Sequence, residues 1–107
     1  MATDDEGGAM FARVNRFQDD PANLQEMERV AEHEIVPQLQ RVPGFLGVVS
    51  LVDRTSGESL AITFWESEEA MRSSEQDADR VRGELKQRTG SNVVSVERYE
   101  VSLRVGL

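Results

Sequence analysis

Three side chains in this sequence have the chemistry to act on a small molecule. Asn15 lies in a largely apolar segment, and a buried amide is costly unless it is hydrogen-bonded, so Asn15 either faces solvent or binds something. Trp65 precedes a helix signal, where its ring either lines a pocket or packs between helix and sheet. His33, the only histidine, is either a solvated surface residue or a general base beside a cleft. We therefore take Trp65, Asn15 and His33 as candidate catalytic residues.

The amino-acid composition excludes several other classes of functional site. The chain has no cysteine, so disulfides, thiolate-bound zinc, iron–sulfur clusters and cysteine nucleophiles are excluded. One histidine cannot form a metal site unaided, and neither a phosphate-binding loop nor a dinucleotide fingerprint is present. The acidic residues are spread over polar helix faces without paired acid/base spacing. The sequence therefore predicts neither a metal nor a bound cofactor.

The charge and the hydropathy pattern argue against nucleic acid and membranes as partners. With 20 acidic and 12 basic residues the formal net charge is −8, which repels nucleic acid phosphates. No apolar run approaches the roughly 20 residues that a membrane helix needs, so no membrane partner is expected. Residues 1–9 are predicted to be a disordered tail and residues 10–107 one domain. Without cysteines or an apolar leader, a cytoplasmic location is expected.

The elements that must position the candidates alternate along the chain. Strands are predicted at 10–17, 45–53, 60–66 and 93–105. A first helix begins at the Asp20 cap, carries an apolar stripe from Leu24 to Val42, and is expected to kink at Pro37. A second helix begins at Ser67, breaks near Ser74 and ends at Gly90. This βαββαβ order predicts an α+β, ferredoxin-like fold, an antiparallel four-stranded sheet with two helices on one face.

The strands also predict a homodimer. Both alternating phases of the strand at 45–53 are apolar, with Val49 and Leu51 on one and Val48 and Val52 on the other. Two helices cover only one face of a sheet, so the second apolar face needs a partner. The last predicted strand, of about 13 residues, is long enough to continue into a neighbouring chain. Two sheets packed face to face across a two-fold axis satisfy both observations.

Two motifs carry a resemblance to a known family. Pro43-Gly44-Phe45-Leu46-Gly47 resembles the PGF-x-G signature of the antibiotic-biosynthesis-monooxygenase-like dimeric α/β-barrel superfamily, and residues 63–71, TFWESEEAM, resemble its strand-to-helix junction. The match in order and spacing spans roughly residues 10–105. The resemblance implies a dimeric α/β barrel. It does not fix the activity, because the superfamily holds oxygenases, haem degraders, isomerases and other proteins.

The resemblance also bears on the site. Asn15 in the first strand and Trp65 at the end of the third match the haem-degrading branch, but that branch has an iron-ligating His in the second helix, where Glu75 and Gln76 stand. The quinone-forming oxygenase branch shares the Trp. It has an Asn where this chain has Ala61, and a Tyr where this chain has Met71.

Two functions compete at this point. The first is a cofactor-independent monooxygenase acting on an aromatic or polyketide-type small molecule, in which Asn15 and Trp65 orient substrate and oxygen. Arg13 and Tyr99 are the other polar residues on offer near the ring, and His33 or Tyr99 would accept the proton. The second is a non-catalytic small-molecule-binding or structural homodimer of the same fold. Haem degradation is a third. An apolar cavity that reaches Trp65 and exposes Asn15 would favour ligand chemistry, and a filled interior would favour the structural alternative.

Overall fold

The four strands form one antiparallel sheet in the order β2-β3-β1-β4. The computed structural model describes residues 9–107, so the predicted disordered tail lies outside the described residues apart from Ala9. The strands are β1 (Phe11–Gln18), β2 (Phe45–Val52), β3 (Glu58–Trp65) and β4 (Asn92–Glu100). With a helical segment after β1 and another after β3, the predicted α+β, ferredoxin-like βαββαβ fold is confirmed.

The first helical segment is interrupted by a π-helical turn. After a 3-10 turn at Pro21–Asn23 it runs as α1 (Leu24–Val30), the π turn (Ala31–Ile35) and α2 (Val36–Leu39). Pro37 has no N–H to bond to a carbonyl in the preceding turn, and its ring would clash with that turn in a regular helix. The irregularity expected at Pro37 therefore takes the form of a wider turn just before it, in which the Val36 N–H bonds to the Ala31 carbonyl.

The second helical segment breaks where the sequence predicts. Ser67 accepts a hydrogen bond from the Ala70 N–H and starts α3 (Glu68–Ser73). A second helix, α4 (Glu75–Thr89), follows Ser74 and ends at Gly90, whose φ of 76° is left-handed. The Ser74 side chain makes no capping hydrogen bond to α4 and bonds instead to the Met71 carbonyl.

The two faces of the sheet follow from its register. Arg13 pairs with Thr63 and Asn15 with Ala61, and these residues face the helices. The residues between them along each strand face outward and form rows across the sheet. The central row consists of Val14, Ile62 and Val49. The core between helices and sheet is built from Phe17 of β1 and a set of helix residues: Leu24, Met27, Val30, Ile35, Leu39, Val81 and Leu85.

The last strand is shorter than the predicted range of 93–105. The last strand has 9 residues and ends at Glu100, because its neighbour β1 begins at Phe11 and offers only one further bond, from the Val101 N–H to the Met10 carbonyl. A Cβ on Gly47 would meet no atom within 4 Å, so the space above this residue is open in the single chain. At Gly44, by contrast, a Cβ would lie 2.4 Å from the Ala70 Cβ, so this turn needs glycine.

Candidate functional site

A cavity of about 460 Å³ lies between the sheet and the helices. Its floor is the inner face of β1, β2 and β3, and its walls come from α1, the π turn, α2 and α4. Most of the lining is apolar, including Phe17, Met27, Ile35, Leu39, Val48, Val81 and Leu85. An apolar cavity with a few polar groups is the usual form of a small-molecule site.

Asn15 is one of the polar groups in this cavity, so its side chain faces the helices and not the solvent. The side chain is 6% exposed and lines the cavity from β1. Its Nδ2 donates to the Ala61 carbonyl at 2.9 Å, and its Oδ1 accepts from Nη1 of Arg82 at 2.9 Å. These bonds fix the amide and use one N–H and one lone pair, so one donor and one acceptor are left for a ligand.

Arg13 is a buried cation on the same floor. Its side chain is 1% exposed, and its Nη2 donates to the Met71 carbonyl, the Ser74 hydroxyl and the Glu75 carboxylate at 2.7 to 2.8 Å. Burial lowers the pKa of the Arg13 guanidinium, and the hydrogen bond to Glu75 opposes that shift. Arg13 thus ties β1 to the break between α3 and α4 and explains why the Ser74 hydroxyl is not used as a cap.

Trp65 supports the cavity from behind rather than lining it. The ring is fully buried, with the edge of Phe45 packed against it at 5.6 Å and the Arg13 guanidinium 5.3 Å from its centroid. Its Nε1 donates to Oγ1 of Thr63 at 3.0 Å, and Thr63 does line the cavity. Trp65 therefore contacts the cavity only through Thr63 and Arg13.

The other two polar candidates lie elsewhere. His33 is exposed on the π turn and borders a shallow surface depression with Glu26 and Arg29, not the cavity. Tyr99 is 54% exposed on β4 and pairs with Ala12, which places it on the outward face of the sheet. Neither residue is brought together with Asn15.

Sequence reasoning missed Arg82, Thr63 and Ser59. Arg82 lies on α4, where an arginine in a helix of charged residues carries no sign that its head turns inward to Asn15. Ser59 and Thr63 could have been found, because they alternate with period two in phase with Trp65. That phase is the one that the structure buries.

Glu75 connects the site to the outer strand. Its carboxylate accepts two hydrogen bonds from Arg98 and one from Arg13, all at 2.7 to 2.8 Å. The hydrogen bonds from Arg98 lower the pKa of Glu75 to about 2. Partial burial opposes this shift, and the hydrogen bond and charge of Arg13 add to it. Glu75 stands in the region where the haem-degrading branch carries its iron ligand, and here the carboxylate is held by two guanidiniums.

The depressed pKa of Glu75 predicts an acid-sensitive contribution to stability. Because the folded state binds this proton more weakly than the unfolded state, the contribution is present above the ordinary pKa of about 4.5 and is lost as pH falls towards 2. We expect Glu75→Gln to lower the free energy of unfolding at pH 7, with the deficit shrinking below pH 4.5. Urea unfolding at a series of pH values measures this. Glu69→Gln, an exposed carboxylate of α3, is the control, and equal pH profiles for the two variants would contradict the prediction.

A metal cluster and a membrane-spanning helix each have requirements that can be compared with the described residues. Across residues 9–107 no three His, Cys, Asp or Glu side chains are grouped so that they could hold a metal ion. None of the helices in that range is long and apolar enough to cross a membrane.

Solved structures with the same fold include oxygenases and a haem degrader. The monooxygenase from the ActVA-Orf6 gene of Streptomyces coelicolor, solved with nanaomycin D, is 19% identical, with a TM-score of 0.66 and coverage of 97% of this chain and 95% of that one. MhuD of Mycobacterium tuberculosis, a haem degrader solved with two haems, is 23% identical, with a TM-score of 0.67 and coverage of 90% and 99%. SnoaB of Streptomyces nogalater, a cofactor-independent oxygenase solved as a mutant, is 22% identical, with a TM-score of 0.59 and coverage of 92% and 96%. At these identities the likeness shows the fold alone.

Sequence relatives and a family model set the family. The uncharacterised Mycobacterium tuberculosis protein Rv2557 is 30% identical over 97 residues, which cover 91% of this chain and 43% of that protein. The chain thus spans less than half the length of this relative. The family model described as antibiotic biosynthesis monooxygenase matches residues 10–83, more than half of the chain. The resemblance seen in the two sequence motifs is therefore confirmed, and the chain belongs to the antibiotic biosynthesis monooxygenase family.

Proposed function

We propose that this protein is a cofactor-independent monooxygenase that oxidises an aromatic, polyketide-type small molecule in the cavity under α1 and α4. The observation that carries the proposal is the fixed Asn15 amide in the wall of a mostly apolar cavity of about 460 Å³. Family membership and the fold shared with SnoaB, a cofactor-independent oxygenase, support it.

The reaction needs no external reductant when the substrate supplies the electrons. An anthrone-type CH₂ group loses a proton to give an enolate, the enolate carbon bonds to O₂, and collapse of the peroxide gives a quinone and water. One substrate and one O₂ are consumed, two C–H bonds break, and one oxygen atom stays in the product. Donors aimed at the developing enolate oxygen lower the barrier. Asn15 and Arg82 line the cavity, and their N–H groups are donors that suit this role.

The proton has a route that does not involve His33 or Tyr99. Glu28 and Glu32 line the same cavity from the helical side, and Glu32 is exposed to solvent. A carboxylate or water at this point can accept the proton once the enolate is stabilised. In this proposal Asn15 touches the substrate, and Trp65 positions Thr63 and Arg13.

Oxygen uptake by the full chain tests the proposal. A panel of anthrone- and hydroquinone-like compounds is incubated with the protein while O₂ consumption and quinone absorbance are followed together. We expect uptake that is lost in Ala61→Phe, because the added ring extends from β3 into the cavity. Uptake should persist in Ala22→Phe, which adds the same ring at an exposed position before α1. Uptake that survives Ala61→Phe would place the reaction elsewhere and overturn the proposal.

A binding protein without catalysis is the second candidate. It is favoured by the fully packed Trp65 ring and by the positions of His33 and Tyr99 outside the cavity. Tight binding of the panel compounds without oxygen uptake would support it.

Haem is a poor fit to these residues. The single histidine is exposed and does not line the cavity, and the Glu75 carboxylate is occupied by Arg13 and Arg98. Neither the histidine nor Glu75, which stands in the region of the iron ligand of the haem-degrading branch, is therefore placed to ligate a haem iron from the cavity wall.

The homodimer is also part of the proposal, and family proteins are commonly dimers. On the outward face of the sheet Val49 is 44% exposed, Leu51 50% and Tyr99 54%, around the row that contains Ile62. The open space over Gly47 lies on the same face. Beyond β4, Leu103, Val105 and Leu107 are each at least 79% exposed and alternate with polar residues and glycine, as in a strand that lacks its sheet. A second copy of this chain covers both surfaces.

Leu51→Glu should dissociate this dimer. The side chain is half exposed in the single chain, so the substitution leaves the protomer folded but buries a charge in the interface. Analytical ultracentrifugation should show a dimer for the natural sequence and a monomer for Leu51→Glu. Gln25→Glu adds the same charge at an exposed position of α1 and should leave the dimer intact. A monomer for the natural sequence, or an unchanged dimer in Leu51→Glu, would contradict the assignment.

A further inference from the structure

A second hollow lies on the other flank of α4. This depression has a volume of about 650 Å³ and is lined by residues of α4 and β4, among them Gly83 on the helix and Val96 on the strand. It is more open to solvent than the cavity under α1 and α4. Of the residues that the structure describes, Arg82 alone lines both hollows.

The floors of the two hollows belong to one continuous face of the sheet. Asn15 on the cavity floor pairs with Val96 in the depression, and Arg13 pairs with Arg98. Directly paired residues point to the same side of a sheet, so the face that carries Asn15 continues onto β4. Neighbouring strands lie about 4.8 Å apart. The cavity and the depression are therefore neighbours on this face, and Arg82 belongs to the boundary between them.

The Arg82 head is held in place at this boundary. Its Nη1 donates to Oδ1 of Asn15 on the sheet at 2.9 Å, and its Nη2 donates to the carboxylate of Asp79, one turn earlier on α4. The side chain of Arg82 is 12% exposed, while that of Asp79 is 79% exposed. The guanidinium thus spans from the helix to the sheet and fills the space that would otherwise join the two hollows.

The depression offers apolar surface and open space beyond Arg82. Gly83 lies inside α4, where glycine costs about 1 kcal/mol relative to alanine, yet a Cβ there would meet no atom within 4 Å. Val93 and Val96 form an apolar floor, and Val93 is 40% exposed. A ligand that passed Arg82 would therefore continue over apolar surface and would meet no clash at Gly83.

We propose that Arg82 determines the length of ligand that the cavity accepts. In the natural chain a bound ligand ends at the Arg82 head. Without that head the ligand extends over Val96 into the depression. This inference rests on the proposed function, because it concerns the substrate of the same cavity. It makes Arg82 a specificity-determining residue in addition to a donor.

Binding of quinones with side chains of increasing length tests this inference without turnover, since quinones are already oxidised. We would titrate the full chain with anthraquinones that carry a straight alkyl chain, from methyl to octyl, and follow fluorescence of the single tryptophan. Each methylene that enters apolar space should improve affinity about fourfold. In the natural chain this gain should stop when the alkyl chain reaches Arg82. In Arg82→Ala it should continue over at least two further methylenes, a gain of about tenfold or more.

Arg80→Ala is the matched control. Arg80 also pairs with an aspartate three residues earlier on α4, but it lines neither hollow, so its affinity series should follow the natural chain. Arg82→Ala also removes a donor to Asn15, but that loss is common to all chain lengths and cancels when affinities are compared within one variant. Alanine has the highest helix propensity, so α4 should be kept, and urea unfolding checks this.

A double variant locates the additional space. Val96→Phe added to Arg82→Ala places a ring on the floor of the depression and should return the length limit of the natural chain. A limit that stays long in the double variant would show that the alkyl chain does not enter the depression, and would overturn the inference.

The remaining outcomes separate this inference from the proposed function. The same length limit in the natural chain and in Arg82→Ala would overturn the inference while leaving a quinone-binding cavity in place. A limit that lengthens equally in Arg80→Ala would also overturn it, because loss of any α4 ion pair would then suffice. Failure of every probe to bind would overturn the proposed function, and this inference with it.

Discussion

Asn15→Leu should lower kcat/KM for oxygen uptake by about 100-fold or more, the size of effect seen when a transition-state donor is removed from an active site. Leucine has a similar volume, so the cavity keeps its shape, but it lacks the amide to which the proposed mechanism assigns the stabilisation of the enolate. The loss should fall mainly on kcat, because the enolate forms only during the reaction. Parallel measurement of kcat and KM with the best substrate of the panel tests this.

Two controls separate catalysis from folding in that experiment. Asn15→Leu leaves the Ala61 carbonyl and Nη1 of Arg82 without their partner, which should cost about 1–3 kcal/mol of stability and must be measured by urea unfolding. His33→Gln should keep full activity, because His33 is exposed and outside the cavity. A folded Asn15→Leu variant with unchanged kcat would remove Asn15 from the mechanism. Loss of activity in His33→Gln would restore the histidine as a base.

Gly57→Ala should cause a large loss of stability, about 3–4 kcal/mol. The φ of Gly57 is 86°, and a Cβ there would lie 1.9 Å from the Asp19 carbonyl oxygen. That oxygen belongs to backbone and cannot swing aside, and the Asp19 N–H also donates to the Gly57 carbonyl at 3.0 Å. The substitution therefore has two costs. The left-handed backbone conformation costs about 1–2 kcal/mol, and the added Cβ also pushes Asp19, just after the end of β1, away from the turn between β2 and β3.

Gly90→Ala is the matched control for this prediction. Gly90 has a similar φ of 76°, but a Cβ there meets no atom within 4 Å. It should cost only the left-handed penalty, about 1–2 kcal/mol. Urea unfolding followed by Trp65 fluorescence compares the two variants. Equal losses would show that the contact with Asp19 gives way and that backbone conformation alone decides the cost.

Arg13 contributes to the stability of the fold and also borders the cavity. Its guanidinium ties the α3–α4 break to β1, stacks near Trp65 and borders the cavity. Substitutions at Arg13 should therefore alter folding and ligand binding together. For this reason the cavity is tested through Asn15 and Ala61, with the stability of each variant measured in parallel.

The sequence by itself determined the order of the elements, their caps and the family. Asp20, Ser67 and Gly90 act locally, through bonds to the adjacent backbone or a left-handed φ, so their roles are visible without tertiary contacts. The breaks near Pro37 and Ser74 were visible for the same reason. The end of β4 was not, because it depends on where its partner β1 begins.

Only the tertiary structure decided which polar residues share the cavity. Arg82 reaches Asn15 across 67 residues of sequence, and no local pattern records that contact. The register of β1 against β3 put Asn15 and Arg13 on the inner face, and a shift of one residue would have turned both outward. The same packing enclosed Trp65 and left His33 outside the cavity. A residue's type states what chemistry it can do, but burial and the partners brought from distant strands and helices decide whether it is in a position to do it.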